Sequence, residues 1–498
     1  MTHVLEIEQK YDATGDLPAL DELPDAAATV HDTGITELTA VYFDTHDLDL
    51  RTAGISLRRR EGGGDEGWHL KLPMGRDRRL EVRVPLSRGI RTVPKELRSA
   101  VLAYTQGSTL TPIAVIETVR RSVHVLDLDG SVLAEVVDDQ VTAGDLAWRE
   151  WEVELGTGDE RLLAAVAARL RDAGARRSKV GSKLERVVGT GVRERPERPV
   201  HKVGRKSPAA NLVRERLATL VDAIPARDIS VRRNLPDGVH RLRVTIRRIR
   251  QLLASFEPLL DPSEVQWFRG ELKWLADCLG AARDAEVVSA RLKGLLADQS
   301  DESGAPAAAR AVQREMTRRY REAHRAAVVA MESQRYLELL AALRGYAEEP
   351  SFRKRAAKPT KRVLPGIVDR DVARLEKRLR RLGDPADPDY VERLHEARKA
   401  AKRVRYLAEA CRPVYGKPAR RSAREMKAFQ SYVGEHQDVA MTRTALRVIA
   451  AQTDPAGRVA FVLGRVDVVE EQAAASVVRG LGRAWKQAEV SRIRKWAR

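Results

Sequence analysis

The sequence predicts an α+β chain in two parts: an antiparallel barrel or strongly curved sheet, then a nearly all-α region made of two homologous halves. Three observations predict this. Short alternating segments separated by Gly, Asp and Pro run through the first 188 residues. From Asn211 onward Arg, Ala and Leu dominate, with apolar residues at helical spacing. The helical part also repeats itself, Val239–Arg250 returning 155 residues later as Leu394–Arg405, and Leu272–Asp284 returning 154 residues later as Met426–Asp438.

Charge divides the chain at the same place. Residues 1–188 hold 25 Lys+Arg and 32 Asp+Glu, a net of −7; the totals of 89 and 71 leave 64 and 39 for residues 189–498, a net of +25. The stretch Gly189–Pro208, rich in Pro, Gly, Lys and Arg and without a hydrophobic period, reads as a solvated linker. The expected division is 1–188, a linker at 189–206, and 207–498 with repeats at about 207–345 and 365–498. No apolar run reaches the ~18 residues of a membrane span, and the first residues lack a signal-peptide layout. Cys278 and Cys411 make no disulfide framework. A cytoplasmic protein is expected.

Taken in order, the first strand contains Glu6-Ile7-Glu8-Gln9-Lys10, in which Glu6, Glu8 and Lys10 project to one face. Such a face suits a metal and a phosphate together. Further strands are expected at Thr39–Phe43, Ile55–Arg60, Gly67–Leu72, Leu80–Leu86, Ile116–Leu126, Ser131–Val141 and Trp148–Leu155. Their polar positions are mostly Arg, Lys and Glu: Arg58 with Arg60, Lys71, Glu81 with Arg83, and Glu150, Glu152 and Glu154 alternating with apolar residues. An ordinary sheet places one apolar face on a core and mixes Thr, Ser, Gln and Lys outside.

In the helical part, His240, Arg243, Arg247 and Arg250 lie along one helix face, and His395, Arg398, Lys402 and Arg405 form the counterpart; Leu242, Ile246, Ile249 and Leu253 face a core. Like charges at this spacing cost a few tenths of a kcal/mol each, so two copies of the stripe point to an anionic ligand. The acidic Asp298–Ser303 and basic Ser351–Arg362 are expected as loops.

The motifs of residues 1–188, from Glu6–Lys10 through Tyr42-Phe43-Asp44-Thr45, Leu57–Arg60, Trp68–Leu72, Leu133–Glu135 with Asp139, Glu150–Leu155 and Ser182-Lys183, resemble in order the CYTH family of triphosphate tunnel metalloenzymes. The resemblance implies an eight-stranded antiparallel tunnel that binds a triphosphate. It makes Glu6, Glu8, Glu152 and Glu154 the metal-ligand candidates, Lys10, Arg58, Arg60 and Lys71 the catalytic cations, and Arg83, Arg120 and Lys183 further phosphate ligands, with Glu135 and Asp139 as additional carboxylates. The choice of Arg120 over Arg121 rests on strand parity, and that among Glu150, Glu152 and Glu154 stays open. Oxygen ligands suit Mg²⁺ or Mn²⁺, and no Cys/His cluster asks for zinc.

The repeat blocks resemble the CHAD family, similar to two four-helix halves related by a pseudo-two-fold. That resemblance implies binding of inorganic polyphosphate by the two stripes and by Lys273 and Lys427; Gln437 departs from it, standing where Arg283 stands in the first half. Two function classes follow: a metal-dependent phosphohydrolase acting on inorganic triphosphate or a nucleoside triphosphate, or a non-catalytic polyphosphate-binding scaffold located at polyphosphate granules. A class IV adenylate cyclase shares the first fold, yet nothing selects an adenine. Nucleic acid is disfavoured, with 5% aromatic residues and no base-reading motif.

Overall fold

The computed structural model describes residues 2–20, 23, 29–75, 77–86, 92–189, 199–453, 457–488 and 493–495. The chain forms two compact units, Met1–Glu197 and Arg198–Arg498. Residues 190–198 of the expected linker lie outside the described residues. Residues 199–206 are largely exposed and also bonded to the helical unit, His201 N donating to Glu215 and Lys361 N to the Arg205 carbonyl.

The first unit runs β1 (Thr2–Asp12), β2 (Thr29–Asp44), α1 (Asp49–Thr52), β3 (Ser56–Glu61), β4 (Gly67–Pro73), β5 (Arg78–Val84), α2 (Lys95–Ala100), α3 (Leu102–Thr105), β6 (Thr111–Leu126), β7 (Val132–Ala143), β8 (Leu146–Leu155), α4 (Glu160–Asp172), β9 (Arg176–Arg177) and α5 (Lys183–Val188). Every pairing is antiparallel, in the order β5-β4-β3-β2-β6-β7-β8-β1, and β1 pairs with β5 to close the ring. The short β9 pairs with the C-terminal end of β1 at Tyr11 and Asp12.

This barrel is inverted. Ile7 and Tyr11 of β1, Val123 and Val125 of β6, Val136 of β7, and Trp151 and Val153 of β8 pack on the outer face against Leu163, Val166 and Leu170 of α4. Burying each such side chain contributes about 1.5–3 kcal/mol. Helix α4 starts at Asp159, whose carboxylate accepts from Arg161 N and Leu162 N. With the apolar parity turned outward, the opposite parity of every strand must face the lumen. Asp44, expected within a family motif, acts structurally. Its buried carboxylate accepts the N–H groups of Thr45, Leu50 and Arg51 and fixes the turn into α1.

The second unit contains α6 (Ala209–Asp222), α7 (Ile224–Arg232), α8 (Gly238–Phe256), α9 (Pro262–Cys278), α10 (Gly280–Ala297), α11 (Ala305–Met331), α12 (Gln334–Glu348), α13 (Thr360–Arg380), α14 (Tyr390–Ala410), α15 (Arg412–Ala450) and α16 (Arg458–Gln487). The repeat offset maps α8 onto α14, α9 with α10 onto α15, and α11 onto α16. Both halves meet in one core, where Leu292 of α10, Val312 of α11, Leu446 of α15 and Leu463 of α16 are buried together. Leu242, Ile246, Ile249 and Leu253 are fully buried, as their spacing predicts. The basic stretch expected as a loop is only partly one, because α13 begins at Thr360.

Candidate active site and paired basic helices

The barrel encloses a cavity of about 530 Å³. Glu6, Glu8 and Lys10 of β1, Arg58 and Arg60 of β3, Lys71 of β4, Arg83 of β5, Arg120 of β6, Glu135 of β7, Glu152 and Glu154 of β8, and Lys183 all line it. Asp139 is fully buried and stands behind the lining, where it accepts both guanidinium nitrogens of Arg120 at 2.6 and 2.7 Å.

Register explains which charges meet. Lys10 lies opposite Glu152 on the neighbouring strand and pairs with it, whereas Glu8 lies directly opposite Glu154, which in turn lies opposite Glu135. Three carboxylates therefore stand in one lateral row across β1, β8 and β7. Like charges directly opposed are destabilising, so the row requires cations. Lys71 supplies one at 2.6 Å from Glu6 and 3.6 Å from Glu8, and Arg79 another at 2.9 Å from Glu8.

The oxygens of Glu6, Glu8 and Glu154 lie within 4.8 Å of one another, as do those of Asp139, Glu150 and Glu152. These two acidic groups differ in what compensates them. Lys183 fills the second, 2.7 Å from Asp139, 2.8 Å from Glu150 and 2.7 Å from Glu152. In the first, Glu154 has no ion pair among the described residues. Burial raises the Glu154 carboxyl above its ordinary value, and burial next to Glu154 and Glu81 raises Glu6 to about 7 despite Lys71. Burial also opposes ionisation of Glu8, but Lys10, Lys71 and Arg79 outweigh it and bring that carboxyl down to about 2. In the Glu6–Glu8–Glu154 group, Lys71 and Arg79 reach Glu6 and Glu8 from one side, and Glu154 is left without an ion pair among the described residues.

In the second unit, α8 packs against α14 and brings the two stripes together. Burial and the nearby Arg398, Arg247 and Arg243 lower Lys402 to about 7. The guanidinium groups of Arg243, Arg250 and Arg398 are likewise lowered, first by burial. His240 and His395 are lowered by burial and by the cations around them. The halves share a further device. A Cβ on Gly280 would lie 2.9 Å from Arg243 Nη1, and one on Gly434 2.8 Å from Arg398 Nη2, so in each repeat a glycine leaves room for an arginine of α8 or α14 against α10 or α15. Gln437, in place of arginine, accepts from Arg398, whereas Arg283 pairs with Glu286 at 2.9 Å. Arg405 pairs with Glu409 at 2.9 Å. Lys273 and Lys427 are exposed, Lys273 pairing with Asp277 at 2.7 Å.

The CYTH domain family matches residues 5–188, and the CHAD domain family residues 215–447. The uncharacterized protein Rv2226 of Mycobacterium tuberculosis is 37% identical over 492 residues, covering 92% of this chain and 91% of that protein. The chain belongs to the CYTH–CHAD family. Among solved structures it is similar to PptA from Streptomyces chartreusis (TM-score 0.48, 22% identity, 56% of this chain and 100% of that one). It is also similar to the CHAD domain of Ricinus communis (TM-score 0.41, 22% identity, 60% of this chain and 95% of that one). No helix among the described residues is long and apolar enough to cross a membrane.

CYTH proteins are metal-dependent triphosphate enzymes, and the donor set of this CYTH barrel fits a hard divalent cation, being all carboxylate. Sequence reasoning missed several members of the lumen. Arg79 lies one residue before the expected start of β5, yet its parity with Glu81 and Arg83 carries the signal. Tyr42, whose hydroxyl accepts from Arg58 at 3.4 Å, was visible only as part of a motif. His69 is buried between Glu81 at 2.9 Å and the Asp65 carbonyl at 2.9 Å, tying the β3–β4 turn to the wall. That turn also carries Asp65, which pairs with Arg60.

Proposed function

We propose that the CYTH barrel hydrolyses inorganic triphosphate, or a related triphosphate, with Mg²⁺ or Mn²⁺, and that the CHAD stripes bind inorganic polyphosphate. The observation that carries the reading is the enclosed lumen, in which one acidic group is centred on Lys183 and the other gathers Glu6, Glu8 and Glu154, the last without an ion pair among the described residues. On this reading Glu6, Glu8 and Glu154 hold the metal, and Glu152 serves to fix Lys10, Lys183 and Arg120. When bound, a divalent cation supplies positive charge at the phosphate oxygens and acidifies a neighbouring water.

Lys10, Arg58, Arg60, Lys71, Arg83 and Arg120 then grip the phosphate oxygens inside a low-dielectric wall, where each charge pair is worth several times its value in water. Water attacks the terminal phosphorus, the bond from that phosphorus to the bridging oxygen breaks with its electron pair leaving on the oxygen, and the water's proton passes to solvent. The products are orthophosphate and pyrophosphate. Positioning and charge neutralisation carry the rate, as in phosphoryl transfer generally. The test is phosphate release from triphosphate, nucleoside triphosphate and polyphosphate in Mg²⁺, Mn²⁺ or EDTA. Metal-dependent release that drops at least about a hundredfold in Glu8→Gln, a size typical of losing one site group, supports the reading. Equal rates in parent and variant would sink it.

A further inference from the structure

The CHAD unit carries a second basic feature that its paired helices do not account for. The segment 351–362 is pinned on both sides by backbone bonds. Arg353 N donates to the Leu259 carbonyl, Thr360 N to that of Ser207 and Lys361 N to that of Arg205, while Ala209 N donates to Lys358. Pro208 and Pro359 form an antiparallel bridge between the two strands. The two segments lead into α6 and α13, the first helices of the two repeats, with Lys361 and Arg362 in the first turn of α13, so the ribbon lies where the halves begin. Residues 351–362 and 202–208 contain no Asp or Glu. Arg353, Lys354, Arg355, Lys358, Lys361 and Arg362 are all exposed, and none makes an ion pair among the described residues. Asp261 acts on Arg353, but no carboxylate pairs with the others among the described residues, and an array of this density repels itself unless a polyanion covers it.

A cationic track leads from this ribbon to the central stripes. Arg405, a stripe residue, and Arg248 both lie over the Tyr406 ring, at 5.0 and 5.9 Å. Arg248 and Arg412 both act on Arg216. Arg205 of the ribbon lies over Tyr415, 5.3 Å from its ring and one turn beyond Arg412. Glu409 is the acid on this route, 3.2 Å from Arg248 and 2.9 Å from Arg405. The Nε groups of Arg216 and Arg248 are buried without a hydrogen-bond acceptor among the described residues. Such orphaned donors call for one.

We propose that the ribbon is a second polyphosphate subsite, joined to the stripes by this arginine track, and that the CHAD unit thereby distinguishes long chains from short ones. This rests on the reading that the stripes bind polyphosphate. From His240 to Arg250 a stripe spans about 15 Å, so an oligophosphate of that length fills the stripes and leaves the ribbon bare.

The test uses the full chain with Lys354, Lys358, Lys361 and Arg362 all changed to Gln; these side chains are exposed, and helical circular dichroism verifies the fold. Binding is measured to long-chain polyphosphate, to a 15 Å oligophosphate and to duplex DNA across a salt titration. The parent prefers the long chain. The variant loses that preference, its salt slope for the long chain falls by about 3 (roughly 0.7 for each neutralised contact), and its affinity for the oligophosphate is unchanged. Retention of the parent's preference overturns the subsite. So does a variant that loses DNA binding alone, which would make the ribbon a nucleic-acid surface. A parent that binds the oligophosphate but shows no length preference fails this proposal only; a parent that binds neither fails the stripe reading and the subsite together.

Discussion

The barrel lumen and the paired CHAD helices use the same cations to opposite electrostatic ends. In the lumen, burial disfavours the ammonium groups of Lys71 and Lys183, yet the carboxylates around them more than reverse this and both are held above their ordinary values. Between α8 and α14, burial acts alongside neighbouring cations, and Lys402 falls to about 7. The difference teaches what each site awaits. A lumen whose charges already answer one another is preorganised, so it can position a metal and a phosphate without collapsing when empty. The stripes, whose nearby Asp284 and Asp438 offset burial and the clustered cations only in part, rely on other packing, and a polyanion relieves them.

The sharpest way to break this comparison is to remove one cation from each site. Lys183→Met leaves Asp139, Glu150 and Glu152 facing one another in a buried wall. Breaking a buried pair from one side costs about 3–5 kcal/mol, so the barrel should melt far earlier, or survive only where divalent metal replaces the ammonium. Calorimetry with and without Mg²⁺ reads this; an unchanged melting temperature in EDTA refutes the idea that Lys183 is the resident counterion. Lys402→Met should act with the opposite sign. Removing a cation surrounded by cations should stabilise the ligand-free CHAD unit by about 1–2 kcal/mol at pH 6 while weakening polyphosphate binding. Urea unfolding followed by helix signal decides it, and destabilisation would mean that the neighbouring Asp438 outweighs burial and the surrounding arginines.

The pH dependence of Lys402 sharpens the same contrast. Its folded value of about 7 lies below the ordinary 10.5. Between those values the unfolded chain holds the proton and the folded chain does not, so stability rises with pH across that window, and below pH 7 the cost of the buried charge is fully present. A polyanion restores the proton. Polyphosphate affinity should therefore fall by up to about tenfold per unit above pH 7 and level off below it, with proton uptake visible as buffer-dependent heats of binding. Flat affinity from pH 6 to 9 would place the ligand away from Lys402.

How much of this was legible in the sequence also differs between the two sites. Strand parity alone put Glu6, Glu8 and Lys10 on one face, and period and repeat alone put Arg243 with Arg247 and Arg398 with Lys402. What parity cannot supply is register between strands distant in sequence, and it is register that sets Glu8 against Glu154 while giving Lys10 to Glu152. The division of the six carboxylates into a group that leaves Glu154 unpaired among the described residues and a lysine-filled group followed from that pairing. Arg79 was lost for a smaller reason, a strand boundary misplaced past its own side chain. In the helical part a helix period shows which residues share a face but not which helix that face meets, so the convergence of the two stripes became visible only with α8 laid on α14.

The smallest predicted effect tests the glycines that seat the two arginines. In Gly434→Ala the new methyl meets the guanidinium of Arg398, the far end of a flexible side chain, which can swing aside, and the helix gains up to about 1 kcal/mol of propensity. Folding stability should therefore change little or rise slightly. Binding should respond differently, because the displaced guanidinium leaves its position beside Lys402 and loses its bond to Gln437. A few-fold weaker polyphosphate affinity with unchanged stability is the expected result, repeated by Gly280→Ala through Arg243. If both variants bind as the parent does, the glycines serve helix packing alone, and the seating of Arg243 and Arg398 plays no part in holding an anion.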